Sequence, residues 1–169
     1  RMLWGLVEGG VPFKGLGVAP KGVAAPGVDT FRWLAGDHPV PGDASFAAGP
    51  AVLEWADGVP EGEPVLVLLS GGASACVEVP EGLSQADLRR RWEDLLRAGH
   101  PIEEMNRRRT EWSALKGGKL GQRLLRRTPK VECWLLADTD PATAPQAVGS
   151  GPVHVPGSGI AHRVLGSAQ

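Results

Sequence analysis

Two stretches of this chain hold side chains suited to a small anion. Glu104, Asn106, Arg109, Ser113, Lys116, Gly117 and Gly118 follow one another at short intervals, and Ser70-Gly71-Gly72-Ala73-Ser74 comes after an apolar run. In the five-residue turn, Gly71 and Gly72 can take backbone angles closed to other residues. Successive N–H groups then converge on an anion, and Ser70 and Ser74 add hydroxyls. Arg109, Ser113 and Lys116 are four and three apart and share one helix face. Two cations and a hydroxyl there can clamp a carboxylate or a transferring phosphoryl group. The competing readings are a plain strand-to-helix turn and a solvated basic face; the second is preferred for Arg107, Arg108, Arg126 and Arg127. Lys116-Gly117-Gly118 belongs to no Gly-x-x-x-x-Gly-Lys-Ser/Thr loop.

Asp138 ends an apolar strand, where a carboxylate can hold Mg²⁺ through phosphate oxygens or accept a proton from a substrate hydroxyl. Asp140 reads as the start of a turn with Pro141. Ser150-Gly151-Pro152 is a further tight turn that can line the same crevice. His38, His100, His154 and His162 lack the i, i+4 spacing of a helical zinc pair and read as structural or exposed. Trp92 and Trp112 lie on apolar helix faces, as core residues do.

The elements that must position these groups alternate between short apolar and amphipathic runs. Gly15 to Ala19 and Phe31 to Ala35 read as strands, and Asp43 as the cap of a helix running to about Asp57. Pro64 to Leu69 is nearly all apolar, the pattern of a central parallel strand covered on both faces. Ser84 with Asp87 resembles a capping box, opening a helix in which Leu88, Trp92, Leu95 and Leu96 recur before Gly99 stops it. Pro101 starts a helix that carries Ile102, Met105 and Trp112 and breaks at Gly117-Gly118. Leu120 to Arg127 forms a short basic helix, and Val131 to Leu136 and Arg163 to Leu165 two more strands. Strands separated by helices imply right-handed crossovers and a three-layer α/β/α sandwich with a mostly parallel, Rossmann-like sheet. Ligands of such sheets bind beyond the carboxyl ends of the strands, which nominates the loops after Leu69 and after Ala137.

With 169 residues, 42% of them hydrophobic, one domain with a real core is the default. The 18 basic and 19 acidic side chains nearly cancel, so no overall field favours nucleic acid or an anionic membrane, and any anion site is local. Cys76 and Cys133 lack zinc spacing and are too sparse for a disulfide framework; they read as buried thiols of a reducing compartment. The longest apolar run, Val65 to Leu69, is far short of the ~20 residues that span a bilayer, so the expected location is cytoplasmic. The chain starts at Arg1 in an amphipathic stretch, which reads as a piece of something larger.

The order of these pieces resembles the type II glycerate kinases, the group carrying a C-terminal MOFRL domain and sometimes described as hydroxypyruvate reductase. The resemblance rests on His38-Pro39-Val40-Pro41, Leu69 to Ala75, Leu95 to Gly99 with Ile102 and Glu104, Asn106 to Leu120, Asp138, and Ser150-Gly151-Pro152. It spans roughly residues 15 to 167 and is most specific from Leu95 to Leu120. It implies ATP- and Mg²⁺-dependent phosphorylation of D-glycerate at its 2-hydroxyl, in a cleft between two domains. Residues 1–169 would be most of the N-terminal α/β domain, with the MOFRL domain and an upstream Gly-Lys-Ala segment outside the chain and the isolated piece inactive. Lys116, Arg109 and Asp138 are the implied catalytic residues, with Asp138 also the metal ligand. Ser70, Gly71, Gly72, Ser74, Glu104, Asn106, Ser150 and Gly151 are the implied substrate or phosphate contacts. The implied partner is the small molecule glycerate, without nucleic acid or membrane; the oligomeric state stays open, a homodimer included.

The chain departs from the family pattern at Ala73, Gly42 and Glu111, where a glycine, an aspartate and a histidine are expected. In Ala137-Asp138-Thr139-Asp140-Pro141-Ala142 only the first aspartate is in register. These departures bear on metal binding and substrate choice more than on fold. The alternatives are a nicotinamide-dependent hydroxypyruvate reductase, disfavoured by the missing Gly-x-Gly-x-x-Gly turn, and a non-catalytic sensor of organic acids or sugar phosphates.

Overall fold

The computed structural model describes residues 2–137 and 140–166. In chain order the elements are α1 (Met2–Glu8), β1 (Gly15–Pro20), β2 (Phe31–Gly36), α2 (Asp43–Asp57), β3 (Val65–Ser70) and α3 (Ala73–Cys76). There follow α4 (Gln85–Ala98), α5 (Ile102–Glu111), α6 (Lys119–Leu125), β4 (Val131–Leu136), α7 (Ala144–Ala147), a 3₁₀ turn (Val148–Ser150) and β5 (Ala161–Val164). All strand pairs are parallel, and the class is α/β as expected. Among the described residues the strands pair as two sheets, β1-β2 and β3-β4-β5.

The central place expected for the strand after Pro64 belongs instead to β4, which pairs with β3 on one side and β5 on the other. Its alternation shows why: Val131, Cys133 and Leu135 are buried while Glu132, Trp134 and Leu136 are half-buried. In β3, by contrast, Leu66 is exposed. The inward side of β4 anchors one core with Ala56, Leu124, Ala144, Val148 and Val153. A second core joins Phe46, Ala75, Leu88 and Trp92.

Local signals set most helix ends. Ser84 Oγ accepts the Asp87 N–H at 3.1 Å, and Gly99 closes α4 at φ 63°, the left-handed stop that glycine supplies without cost. The cap of α2 differs from expectation. Gly42 is the N-cap and Asp43 the first helical residue. Asp37, arriving from β2, accepts the Ala44 N–H at 2.9 Å and the Ser45 N–H at 3.3 Å. Its bond to Lys21, helped by these amides, holds its carboxyl below the usual aspartate range.

Helix α5 ends at Glu111, six residues short of the Gly117-Gly118 break. Trp112 to Ala114 leave the helix to bond residues 79–81: Glu81 N–H to the Trp112 carbonyl, Ala114 N–H to the Val79 carbonyl, and a Pro80–Ser113 bridge. Arg109, Ser113 and Lys116 therefore do not form the helical ridge expected from their spacing.

Both thiols are buried as expected. Burial pushes Cys133 up to about 12, and burial together with Asp37 raises Cys76. A thiolate reagent applied at pH 8 is therefore expected to leave both cysteines unlabelled until denaturant is added. Mass spectrometry after a timed pulse checks this, and labelling of the folded chain at the rate of the unfolded one would refute it.

Candidate active site

β3 ends at Ser70, and the chain turns through Gly71 and Gly72 into α3. Gly72 has φ 82°, and a Cβ there would stand 3.1 Å from the His38 ring, so conformation and close approach both call for glycine. The N–H groups of Gly71, Gly72, Ala73 and Ser74 donate to no backbone acceptor among the described residues. His38, read from sequence as structural or exposed, forms an exposed wall of this turn.

The second component is the bend at Gly149, Ser150 and Gly151, three successive left-handed residues with φ of 62°, 61° and 58°. Ser150 is the one non-glycine residue with positive φ among those described, and it is 1% exposed. A side chain held there costs on the order of 1–3 kcal/mol, a cost sustained where the surroundings fix the backbone. Here they do. The Ser150 carbonyl accepts the Gly117 N–H at 3.0 Å, the Gly151 carbonyl the Gly118 N–H at 2.8 Å, and the Pro152 carbonyl the Gly121 N–H at 2.9 Å.

Ser150 Oγ donates to Asn106 Oδ1 at 3.0 Å and lies 2.9 Å from Ser74 Oγ. Because the Ser150 proton goes to Asn106, Ser74 donates to Ser150. Asn106 Nδ2 in turn makes a long 3.5 Å contact with the Ala147 carbonyl. One hydroxyl relay thus ties the Ser70–Ser74 turn to α5, and the Ser150 carbonyl ties both to Gly117. The bends at Gly72 and Gly117 share one centre. In this arrangement the anion donors are the four loop amides and the exposed Ser70 hydroxyl, while Ser74 offers lone pairs and the amides of Gly117 and Gly118 are spent on the bend.

The remaining expected site residues are placed differently. Lys116, expected as a cation of the cleft, is 2% exposed; its ammonium is ion-paired with Glu78, itself fully buried, and lies 3.4 Å from the Val77 carbonyl. Burial holds it below the usual lysine range, with Glu78 opposing. Arg109 is 7% exposed, its guanidinium 3.9 Å above the Trp92 ring. Glu104, expected as a substrate contact, is bound by Arg107 and Arg108 on the helix surface. Hydrogen bonds from these two guanidinium groups pull its carboxyl down to about 2. Asp140 caps its own turn by accepting the Ala142 N–H at 2.8 Å. Asp138 lies outside the described residues.

Among the described residues no cluster of three His, Cys, Asp or Glu side chains is placed to hold a metal ion, and no helix is long and apolar enough to cross a membrane. Sequence reasoning missed Glu78, which reads as an ordinary loop carboxylate and gains its role only through a partner 38 residues away.

Residues 3–164 match the model of a domain family described as a domain of unknown function, DUF4147. The chain is 36% identical over 126 residues to the D-glycerate 2-kinase of Thermotoga maritima, covering 74% of this chain and 30% of that one. An Agrobacterium vitis protein with a provisional hydroxypyruvate reductase name is 32% identical over 143 residues, covering 84% of this chain and 36% of its own. A solved glycerate kinase structure from Thermotoga maritima superposes with a TM-score of 0.73 at 34% identity, over 83% of this chain and 33% of that one. The chain spans about a third of the length of these relatives. On the strength of that near full-length match, the chain belongs to the DUF4147 family.

Proposed function

We propose that this chain supplies the anion-binding part of an ATP-dependent kinase that phosphorylates D-glycerate at its 2-hydroxyl, giving 2-phosphoglycerate. The observation that carries the reading is the convergence at Ser150, where the free-amide turn, Asn106 and the Gly117 bend are fixed to one another. Relatives named D-glycerate 2-kinase and glycerate kinase support it. We also propose that residues 1–169 are most of the N-terminal α/β domain of a two-domain enzyme whose MOFRL domain lies outside this chain. A cytoplasmic location and the absence of nucleic-acid and membrane partners belong to the same proposal, supported by the balanced charge and the unpaired buried thiols.

Phosphoryl transfer asks the protein mainly to position reactants and neutralise charge. Bound ATP would supply the transferable γ-phosphoryl group. The amides of Gly71 to Ser74 and the Ser70 hydroxyl fit an oxyanion, because they are unspent and lie beyond the carboxyl end of β3. Ser74, Ser150, Gly151 and Asn106 hold the turn in place. Lys116, paired with Glu78, acts as support beneath it. For Mg²⁺ the described residues offer no donor cluster, and the carboxylate proposed for it, Asp138, lies outside them.

Assay of the intact protein with ATP and D-glycerate tests the reading. Ser150→Gly keeps the left-handed backbone and removes the hydroxyl relay, so turnover is expected to fall about tenfold with the fold retained, the scale of one lost hydrogen bond at ~1.4 kcal/mol. Absence of ATP turnover in the parent protein would end the kinase assignment. The relative's reductase name motivates one control: reduced nicotinamide cofactor with hydroxypyruvate, where no absorbance change is expected.

A further inference from the structure

Beneath the anion turn, α3 runs into Val77 and Glu78, and there two cations meet one anion. Lys116 and Glu78 form a buried ion pair, and Arg109 sits beside them over the same Trp92 ring, 3.9 Å from it, with the Lys116 ammonium 5.7 Å from that ring. Glu78 compensates one of the two cations. Among the described residues the other positive charge has no counter-ion, in a site where every member is at least nine-tenths buried.

Arg109 makes no salt bridge among the described residues, and its Nε is fully enclosed without a hydrogen-bond partner. A guanidinium carries five donors in a planar fork. Burying it unpaired is expensive, since a desolvated charge needs a counter-ion or hydrogen bonds. Arg109 keeps only a small remaining exposure. Asn106 stands one turn earlier on α5, in the hydroxyl relay, which places Arg109 on the helix that borders the anion turn.

From these observations we infer that Arg109 is the specificity-determining seat for the carboxylate of a small hydroxy-acid substrate, separate from the amide turn that receives phosphate oxygens. The inference rests on the kinase reading for which reaction it serves, but not for what the seat binds. The charge balance selects the ligand. One uncompensated positive charge matches a carboxylate monoanion, whereas a phosphate dianion would leave an excess negative charge in a buried site. The shape agrees, because a fork stacked on an aromatic face presents its edge to a planar two-oxygen group.

Calorimetry on the intact protein without nucleotide tests this, with D-glycerate, glycerol and inorganic phosphate as probes. D-glycerate is expected to bind at least tenfold more tightly than glycerol, which has the hydroxyls and lacks the carboxylate. Arg109→Gln is expected to weaken D-glycerate about 10- to 100-fold while leaving phosphate and glycerol unchanged, the loss of a charge-assisted bidentate contact. Arg109→Lys keeps the charge without the fork and is expected to recover only part of the affinity; it also supplies the comparison if Arg109→Gln does not fold. Equal binding of D-glycerate by parent and Arg109 variants overturns the inference, as does a parent that does not bind D-glycerate. The two readings fail separately. Intact ATP turnover with an unchanged KM for D-glycerate in Arg109→Gln sinks the seat and spares the kinase, whereas Arg109-dependent D-glycerate binding without ATP turnover does the reverse.

Discussion

Glu78→Gln is expected to destabilise the fold by about 3–5 kcal/mol, the scale for breaking a buried ion pair, and to do so by more than Lys116→Met. The ordering follows from the third member of the cluster. Removing the Lys116 charge leaves Glu78 with Arg109 still beside it, whereas removing the Glu78 charge leaves two buried cations around one indole. Burial already holds Lys116 below the ordinary lysine value of 10.5, with Glu78 opposing that shift. Between its folded and unfolded values the unfolded chain binds a proton that the native chain has released, so stability rises with pH in that window; below the folded value the full cost applies. Deleting the Glu78 charge lowers the folded value further and extends the window downward. Denaturant melts of both variants at pH 7 and pH 9.5 check this. Glu78→Gln should gain more stability on the alkaline side than the parent does, and equal pH slopes would remove Lys116 as the group responsible.

What could be read in the sequence divides along one physical line. Where a signal and its effect sit within a few residues, the reading held: Ser84 and Gly99 bracket α4, and the apolar alternation of Val131 to Leu136 delivers β4. Where the decisive partner is remote, it did not. The amides at the start of α2 bond to Asp37, seven and eight residues upstream in the loop after β2, which local sequence around Asp43 does not announce. Helix α5 stops at Glu111 because residues 79–81 compete for its last turn, and nothing in local spacing encodes that competition. The site shows the same division. Glycines 71, 72, 117 and 118 announce their bends, but the left-handed conformation of Ser150 carries no residue-type signal, and it is Ser150 that joins the bends. Arg109 and Lys116 do meet, over the Trp92 ring, but not through the helical spacing that groups them in the sequence, because α5 ends before Lys116; both are buried rather than turned to solvent.

Gly49→Ala is expected to destabilise the fold by about 3 kcal/mol, against the usual rule. In an ordinary helix interior this substitution gains on the order of 1 kcal/mol, because alanine loses less entropy on folding. At Gly49 the added methyl would overlap the Glu78 carbonyl oxygen and stand 2.7 Å from its carbon and 2.6 Å from Val79 Cγ2. Backbone cannot step aside as a flexible side chain does. Relief requires moving the 78–79 segment off α2, and that segment is held by the Glu78 N–H to the Ser45 carbonyl and by the Ala114 N–H to the Val79 carbonyl. Overpacking of a tight core costs about 1–3 kcal/mol, and here the displaced residue also carries the partner of Lys116. In a chain of this length the thermal midpoint should therefore fall by roughly 6–12 °C. Gly71→Ala is the matched control, since a Cβ there meets nothing within 4 Å, and its midpoint should stay near that of the parent. If Gly49→Ala melts with the parent, α2 does not pack on the Glu78 backbone as closely as described. If instead it is destabilised and D-glycerate binding is lost with it, the close approach of α2 positions Glu78, and through Glu78 the charge arrangement that Arg109 needs.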